Sequence, residues 1–409
     1  MSKHIFVMDP GRIYGLDVVL PILYQLKEQY CDLKVTFYFM DSDETPFNAF
    51  KDLYRHPFLL DMVNELGVIK KIIKIQSIKK RSQKLHSILV GLFQTPLLFR
   101  VLVSKRSIVF YSRHIPNGLL SKLIVLLNGI SGRSFCYFMA QASFKENIIQ
   151  NFDKDGNRRV GFYDDLIQPL KERSDRVNVG DGLLIYHPDN LEFLEKQGYK
   201  KNIIIGYPMM FPAFQKYLKK VSPDYRKGEI GEKFEEHTII SVFLNKYFGQ
   251  TSGCNDQWAQ NRLNEVVEAI GKKFPKCYIM VRAHPTVSSS KAMGMIKNTN
   301  IKNIKLTYLS VYVLGFISKL TISIGQSSAS IYSLACGAPS IDYGTVQEAF
   351  YEQFPSGSLY ADFGVQVAYT SQELEDIFNR IDPSDRWIDV FQKRLDHKMN
   401  LDIFTNYWY

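Results

Sequence analysis

The run from 277 to 343 leaves this chain few ways to fold. Cys277-Tyr278-Ile279-Met280-Val281-Arg282-Ala283 is apolar and ends in His284-Pro285, and a second such run, Leu320-Thr321-Ile322-Ser323-Ile324, ends in Gly325-Gln326-Ser327-Ser328-Ala329-Ser330. A short helical stretch follows at 331–336, then a stop at Gly337, Pro339, and a third strand pattern, Ser340-Ile341-Asp342-Tyr343. Strand, helix, strand at this spacing is a compact βαβ unit, which requires a parallel sheet. Ligands of such sheets bind outside the carboxyl ends of the strands, and a helix N-terminus offers N–H groups and its positive dipole end to an anion. His284 and the hydroxyls of Ser327, Ser328 and Ser330 therefore form a candidate phosphate site, with Arg282 and Gln326 beside them. A second dipeptide, His187-Pro188, also follows an apolar run, so His-Pro alone decides nothing.

The same alternation extends in both directions. A run at 5–8 reads as a buried first strand, Gly11 to Gly15 as a glycine-bearing turn, and 18–30 as a helix with Val19, Ile22, Leu23 and Leu26 on one face. A β-rich run at 33–40 ends in Asp41-Ser42-Asp43-Glu44 and completes an opening βαβ unit. Further strands are expected at 107–111, 134–139, 182–186, 202–205, 238–244 and 304–306, with helices at 261–273, near 291 and at 311–318. Residues 219–237 are polar and charged, include Pro223, and show no apolar period, which reads as a linker. The expected division is one Rossmann-like domain at 1–218 with a helical insertion, the linker at 219–237, a second such domain at 238–380, and a terminal helix and tail at 381–409.

A chain of 409 residues suits two domains of roughly 200 residues each. The formal net charge of +10 favours anionic partners. The five cysteines form no C-x-x-C pair, which indicates neither a disulfide framework nor a zinc site and fits a reducing cytoplasm. The first ten residues read as a strand and turn rather than a signal peptide. The most apolar stretch, 88–103, is cut by Gln94, Pro96 and Arg100 and is too short to span a bilayer.

These residues together resemble glycosyltransferases of the GT-B type over most of the chain. Arg282-Ala283-His284-Pro285 and Ser327-Ser328 are similar to the His-Pro and Ser-Ser motifs of bacterial sialyltransferases, polysialyltransferases and Kdo-transferring capsule enzymes. Related elements occur in CDP-glycerol polymerases, and Ile203-Ile204-Ile205-Gly206-Tyr207-Pro208 resembles the strand and turn that close the first domain in these families. The resemblance implies an α/β fold of two Rossmann-like domains facing across a cleft, acceptor in the first and nucleotide-sugar in the second, with His284 and the serines on the donor phosphate. Those sialyltransferases carry an acidic pair plus glycine that supplies the base; here Gly180-Asp181-Gly182 lacks the preceding acid.

Glycosyl transfer needs the leaving phosphate stabilised and, for inversion, a base for the acceptor hydroxyl. Donors aimed at the phosphate oxygens, where transition-state charge grows, contribute most. Asn245 and Lys246 follow the 238–244 strand, and Lys246 can meet a phosphate as a point charge. Asp342 and Glu348 follow the serine-rich helix, where an acid can bind ribose or sugar hydroxyls or, equally, pair with a nearby Arg. The base is expected in the first domain, either Asp9 at the end of the first strand or Asp181 by motif. Asp41-Ser42-Asp43 reads as a polar turn, so transfer without metal or cofactor is expected. The pairing of His-Pro with Ser-Ser points to a CMP-activated ulosonic acid ahead of a UDP-sugar.

Lys70, Lys71, Lys79, Lys80 and Arg81, with the apolar stretch through 103 and the stripe at Leu119, Leu120, Leu123, Ile124 and Leu127, suit a pair of helices on a membrane surface. The resulting expectation is a cytoplasmic enzyme, peripheral at the inner face of the membrane, extending a surface polysaccharide or lipid-linked glycan. A nucleotide-sugar 2-epimerase is the alternative of similar fold, although Gln326-Ser327-Ser328 stands where its acidic, glycine-rich loop is expected. A basic nucleic-acid or membrane module would interleave aromatics with Lys and Arg. The aromatics here sit inside apolar patterns, and no nucleic-acid partner is expected.

Overall fold

The computed structural model describes residues 3–9, 16–42, 49–74, 107–111, 134–138, 182–186, 202–231, 237–245, 256–284, 287–299, 301–325, 327–344, 360–381, 399–402 and 404. They fall into two compact units, the first running to Phe214 and taking back the chain from His397, the second taking over at Gln215.

The first unit holds β1 (His4–Asp9), α1 (Leu16–Gln29), β2 (Lys34–Ser42), α2 (Ala49–Tyr54), α3 (Pro57–Leu66), β3 (Val68–Lys74), β4 (Ser107–Tyr111), β5 (Ser134–Phe138), β6 (Gly182–Ile185) and β7 (Asn202–Ile204). The strands form one parallel sheet in the order β3-β2-β1-β4-β5-β6-β7. β1 is interior to the sheet, so Ile5, Phe6, Val7 and Met8 are all buried, which is why its sequence is a continuous apolar run rather than an alternating one. Asn400 donates its N–H to the Ile205 carbonyl at 3.2 Å, and the buried Phe404 ring meets Phe110 edge-on at 5.5 Å, so late residues of the chain complete this core.

Two expectations are corrected here. Lys70 and Lys71 belong to β3, an edge strand paired with β2, and not to a membrane-facing helix. The β-branched residues Val68, Ile69, Ile72 and Ile73 favour extended backbone, and lysines blunt an open edge against further pairing. Lys71 Nζ stands 3.8 Å from the centre of the Phe50 ring. Lys79, Lys80, Arg81 and the stretches 88–103 and 119–127 lie outside the described residues. The expected linker at 219–237 is helical as far as Ile230, because α4 (Pro212–Ile230) accommodates Pro223 within it. Its apolar positions, Ala213, Phe214, Tyr217 and Leu218, mostly precede 219, so the polar remainder showed no period by itself.

The second unit continues with β8 (Thr238–Leu244), α5 (Asp256–Lys273), β9 (Cys277–Ala283), α6 (Ser289–Lys297), β10 (Ile304–Leu306), α7 (Val311–Ile317), β11 (Leu320–Ile324), α8 (Ser328–Ala335), β12 (Ser340–Tyr343), β13 (Gln366–Ala368) and α9 (Ser371–Arg380). Its strands are parallel in the order β10-β9-β8-β11-β12-β13. Alternation along the strands gives the sheet two unlike faces. On one, Val242, Val281, Ile322, Ile324 and Ile341 join Leu263, Val266 and Phe378 in a dry core under α5 and α9. On the other, Ser241, Thr321, Ser323, Ser340 and Asp342 are buried on the side where α7 and α8 pack. Thr321 Oγ1 and Ser340 Oγ lie 2.8 Å apart, and Ser241 Oγ and Ser318 Oγ 2.7 Å apart. α7 and α8 touch backbone to backbone, since a Cβ added at Gly315 would fall 2.6 Å from Ser333 Cα. Among the described residues no helix is long and apolar enough to cross a membrane.

Candidate functional site

In the second sheet the chain runs from β8 outward through β9 and β10, then returns to lay β11 on the other side of β8. Connections on the two sides diverge at that point, and the carboxyl ends of β8 and β11 border the crevice where open α/β sheets take ligands. Asn245, 7% exposed, follows β8 there. One strand away, the His284 N–H donates to the Leu244 carbonyl at 2.8 Å, which carries the β8–β9 ladder one residue past the strand. The His284 carbonyl then accepts the Val287 N–H at 2.8 Å, closing a short turn that leaves the half-buried histidine at the sheet edge.

β11 ends differently. The Gly325 N–H donates to the Tyr343 carbonyl at 2.8 Å, and its φ of 73° turns the chain in a conformation that disfavours a side chain. Ser327 then caps α8: its Oγ accepts the Ala329 N–H at 3.2 Å, and its carbonyl accepts the Ser330 N–H at 3.0 Å. Capping uses an oxygen lone pair and leaves the hydroxyl proton of Ser327 able to donate. Ser328, half-buried, opens the helix at its positive end. His284, Asn245, Ser327 and Ser328 are thus brought to one sheet edge. Arg282, within β9 and paired in register with Phe243, lies two residues before His284.

Ser330 and Asp342 need correction. Both were expected to meet ligand, yet they are 1% and 0% exposed, and Ser330 Oγ donates to Asp342 Oδ1 at 2.5 Å. Ser323 Oγ, 2.7 Å from Ser330 Oγ, completes a buried chain on the polar face. Strand parity is the cause: Ser323 and Asp342 are register partners in adjacent strands, so both side chains point toward α8 and away from solvent.

A second cluster, not expected from the sequence, anchors the end of β12. Tyr343 donates to Glu265 Oε2 at 2.5 Å, and Arg262 Nη1 meets the same oxygen at 2.8 Å. Burial, followed by the hydrogen bond to Glu265, pushes the Tyr343 hydroxyl pKa up. Cys277 is pushed up to about 11 by burial, which leaves its thiol protonated and unreactive at neutral pH. Among the described residues no group of three His, Cys, Asp or Glu side chains is placed to hold a metal ion.

In the first sheet the corresponding reversal lies between β1 and β4, and Asp9 is the last residue of β1, in register with Phe39. Gly182, the chain neighbour of Asp181, begins β6 and so stands at the amino edge of that sheet, opposite the edge of Asp9. Asp181, Lys246, Gln326 and Glu348 lie outside the described residues, as do His187 and Gly11 to Gly15.

No protein-family model and no curated protein sequence matches the chain. Solved structures do. HepE from Anabaena, crystallised with UDP and glucose, aligns with a TM-score of 0.50 at 11% identity, covering 100% of this chain and 97% of that one. UGT89C1 from Arabidopsis thaliana, complexed with UDP, aligns at 0.52 and 10% identity over 99% of this chain and 100% of its own. TcCGT1, also in complex with UDP, gives 0.53 at 12% identity, covering 100% and 98%. At these identities the likeness is one of fold. That fold is of the GT-B type, an α/β architecture of two Rossmann-like domains in one chain.

Proposed function

We propose that this chain is a glycosyltransferase that takes its sugar from a nucleotide-activated donor, with the donor's phosphate at the carboxyl edge of β8, β9 and β11. The observation that carries the reading is the reversal of strand order between β8 and β11, with His284, Asn245 and the first turn of α8 all at that edge. That structures of the same fold were solved with UDP supports a nucleotide-activated donor. As the glycosidic bond breaks, negative charge collects on the phosphate. The His284 ring, the Ser327 and Ser328 hydroxyls and the positive end of α8 supply fixed donors to it, and such pre-set donors need no reorganisation during the step. Arg282, Lys246 and Gln326 add donors to the phosphate in this reading, and Glu348 accepts from ribose or sugar hydroxyls.

The base is Asp9, which ends β1 at the reversal point of the first sheet, whereas the neighbour of Asp181 starts its strand at the other edge. The acceptor is a hydroxyl of a surface polysaccharide or lipid-linked glycan, as the resemblance to the capsule enzymes implies, and the transfer runs without a metal. CMP-activated ulosonic acids and UDP-sugars are both donors this edge can hold.

The test is a thermal-shift and calorimetric comparison of CMP, CDP, UDP and GDP, followed by transfer assays on Asp9→Asn. One nucleotide should stabilise the protein by about 2.7 kcal/mol at 100 times its dissociation constant. Asp9→Asn should keep that affinity while transfer falls about 10²-fold or more, and should do so equally in excess EDTA. Failure of all four nucleotides to bind would overturn the reading. Turnover of a nucleotide-sugar without any acceptor would replace transfer with epimerisation or hydrolysis.

A further inference from the structure

The buried chain Ser323–Ser330–Asp342 lies behind the proposed phosphate site and touches no solvent. Ser330 has one hydroxyl proton. Ser330 Oγ donates that proton to Asp342 Oδ1 at 2.5 Å, which leaves Ser323 Oγ, 2.7 Å away, to donate to Ser330. The direction is therefore fixed: Ser323 to Ser330 to Asp342. Each member comes from a different element of one βαβ unit, respectively β11, α8 and β12. Ser330 is the third residue of α8, and its N–H closes back on the Ser327 carbonyl at 3.0 Å. The carboxylate thus holds, through one hydroxyl, the turn that presents Ser327 and Ser328.

We propose that Asp342 and Ser330 are positioning residues that set the first turn of α8 at the height and angle a nucleotide phosphate requires. The proposal rests on the reading that this turn meets phosphate. Two observations separate it from general stabilisation. The same polar face holds Thr321 and Ser340, hydroxyls equally buried and 2.8 Å apart, which join β11 to β12 without reaching α8. The dry face already binds the two strands to the rest of the domain through Ile322, Ile324 and Ile341. A polar acceptor buried under the helix start is expensive to bury unless it is hydrogen-bonded, and a directional bond fixes the angle of the helix it holds.

The experiment compares wild type, Ser323→Ala, Ser330→Ala, Asp342→Asn and the control Thr321→Val in the full chain. Melting temperature and the dissociation constant of the nucleotide that binds wild type best are measured for each. Ser330→Ala is expected to weaken nucleotide binding by about tenfold, the upper end for losing one buried hydrogen bond. Ser323→Ala, one bond further back, should weaken it by a smaller factor and keeps the question answerable if Ser330→Ala fails to fold. Asp342→Asn retains an acceptor oxygen and should fall between them. Thr321→Val should lower the melting temperature by a few degrees and leave binding unchanged. The proposal is overturned if Ser330→Ala and Ser323→Ala bind as wild type does, or if binding falls in Thr321→Val in proportion to its stability. If wild type itself binds no nucleotide, the functional reading fails first, so the two failures are distinct.

Discussion

The two faces of β11 and β12 carry the same strands and opposite chemistry. On the dry face Ile322, Ile324, Ile341 and Tyr343 pack under α5 and α9; on the polar face Thr321 bonds Ser340, and Ser323 and Asp342 bond Ser330 of α8. Apolar packing is non-directional and tolerates small shifts, so it supplies stability without fixing angles. Hydrogen bonds are directional and fix a helix against a sheet, so they supply placement. A site that depends on the orientation of a helix end gains from having its polar bonds on that helix's side and its hydrophobic core on the other.

Substitutions separate the two roles. The largest effect is expected at the edge where the faces meet: His284→Ala should lower donor turnover by about 10²- to 10³-fold with the melting temperature unchanged, the magnitude of losing one donor to a developing oxyanion. His187→Ala should lose far less, and equal losses in the two would mean the wrong histidine had been assigned. Ile322→Ala, on the dry face, should destabilise by about 2–5 kcal/mol while nucleotide affinity per folded molecule holds. A matching loss of affinity would erase the division between faces. Gly325→Ala should be milder, about 1–2 kcal/mol, because among the described residues nothing lies within 4 Å of the added Cβ, while the φ of 73° opposes it. Gly325→Asn should recover part of that, since Asn tolerates left-handed backbone better than Ala. Chemical denaturation of the pair, read beside their nucleotide affinities, tests whether the turn needs glycine for its backbone alone.

Much of the fold could be read from the chain. β-branched runs marked β8, β9, β11 and β12 to within a residue, because buried parallel strands carry continuous or alternating apolar residues whatever their neighbours. The order of those strands could not be read. Each crossover leaves a strand free to land on either side of the sheet, so the reversal between β8 and β11, which brings Asn245 and His284 to one edge with Ser327, is a property of the assembled sheet. The serine cluster was visible, but a hydroxyl at the start of a helix can face solvent or sheet. Only the register of Ser323 with Asp342 shows that Ser330 turns inward while Ser327 and Ser328 remain at the surface edge. Lys70 and Lys71 misled for a related reason: a basic, β-branched run suits a helix on an anionic surface and an edge strand equally well, and pairing with β2 decides.

The return of Asn400 and Phe404 to the first unit has a consequence for biosynthesis. β8 to β13 come from one unbroken run of chain, 238–368, and that sheet can assemble as soon as its last strand has left the ribosome. The core of the first unit cannot finish so early: the Ile205 carbonyl and the Phe110 ring wait for Asn400 and Phe404. At translation rates of about 5–20 residues per second, the half made first spends on the order of ten seconds or more with an aromatic-sized gap in its core, and it is the last to close.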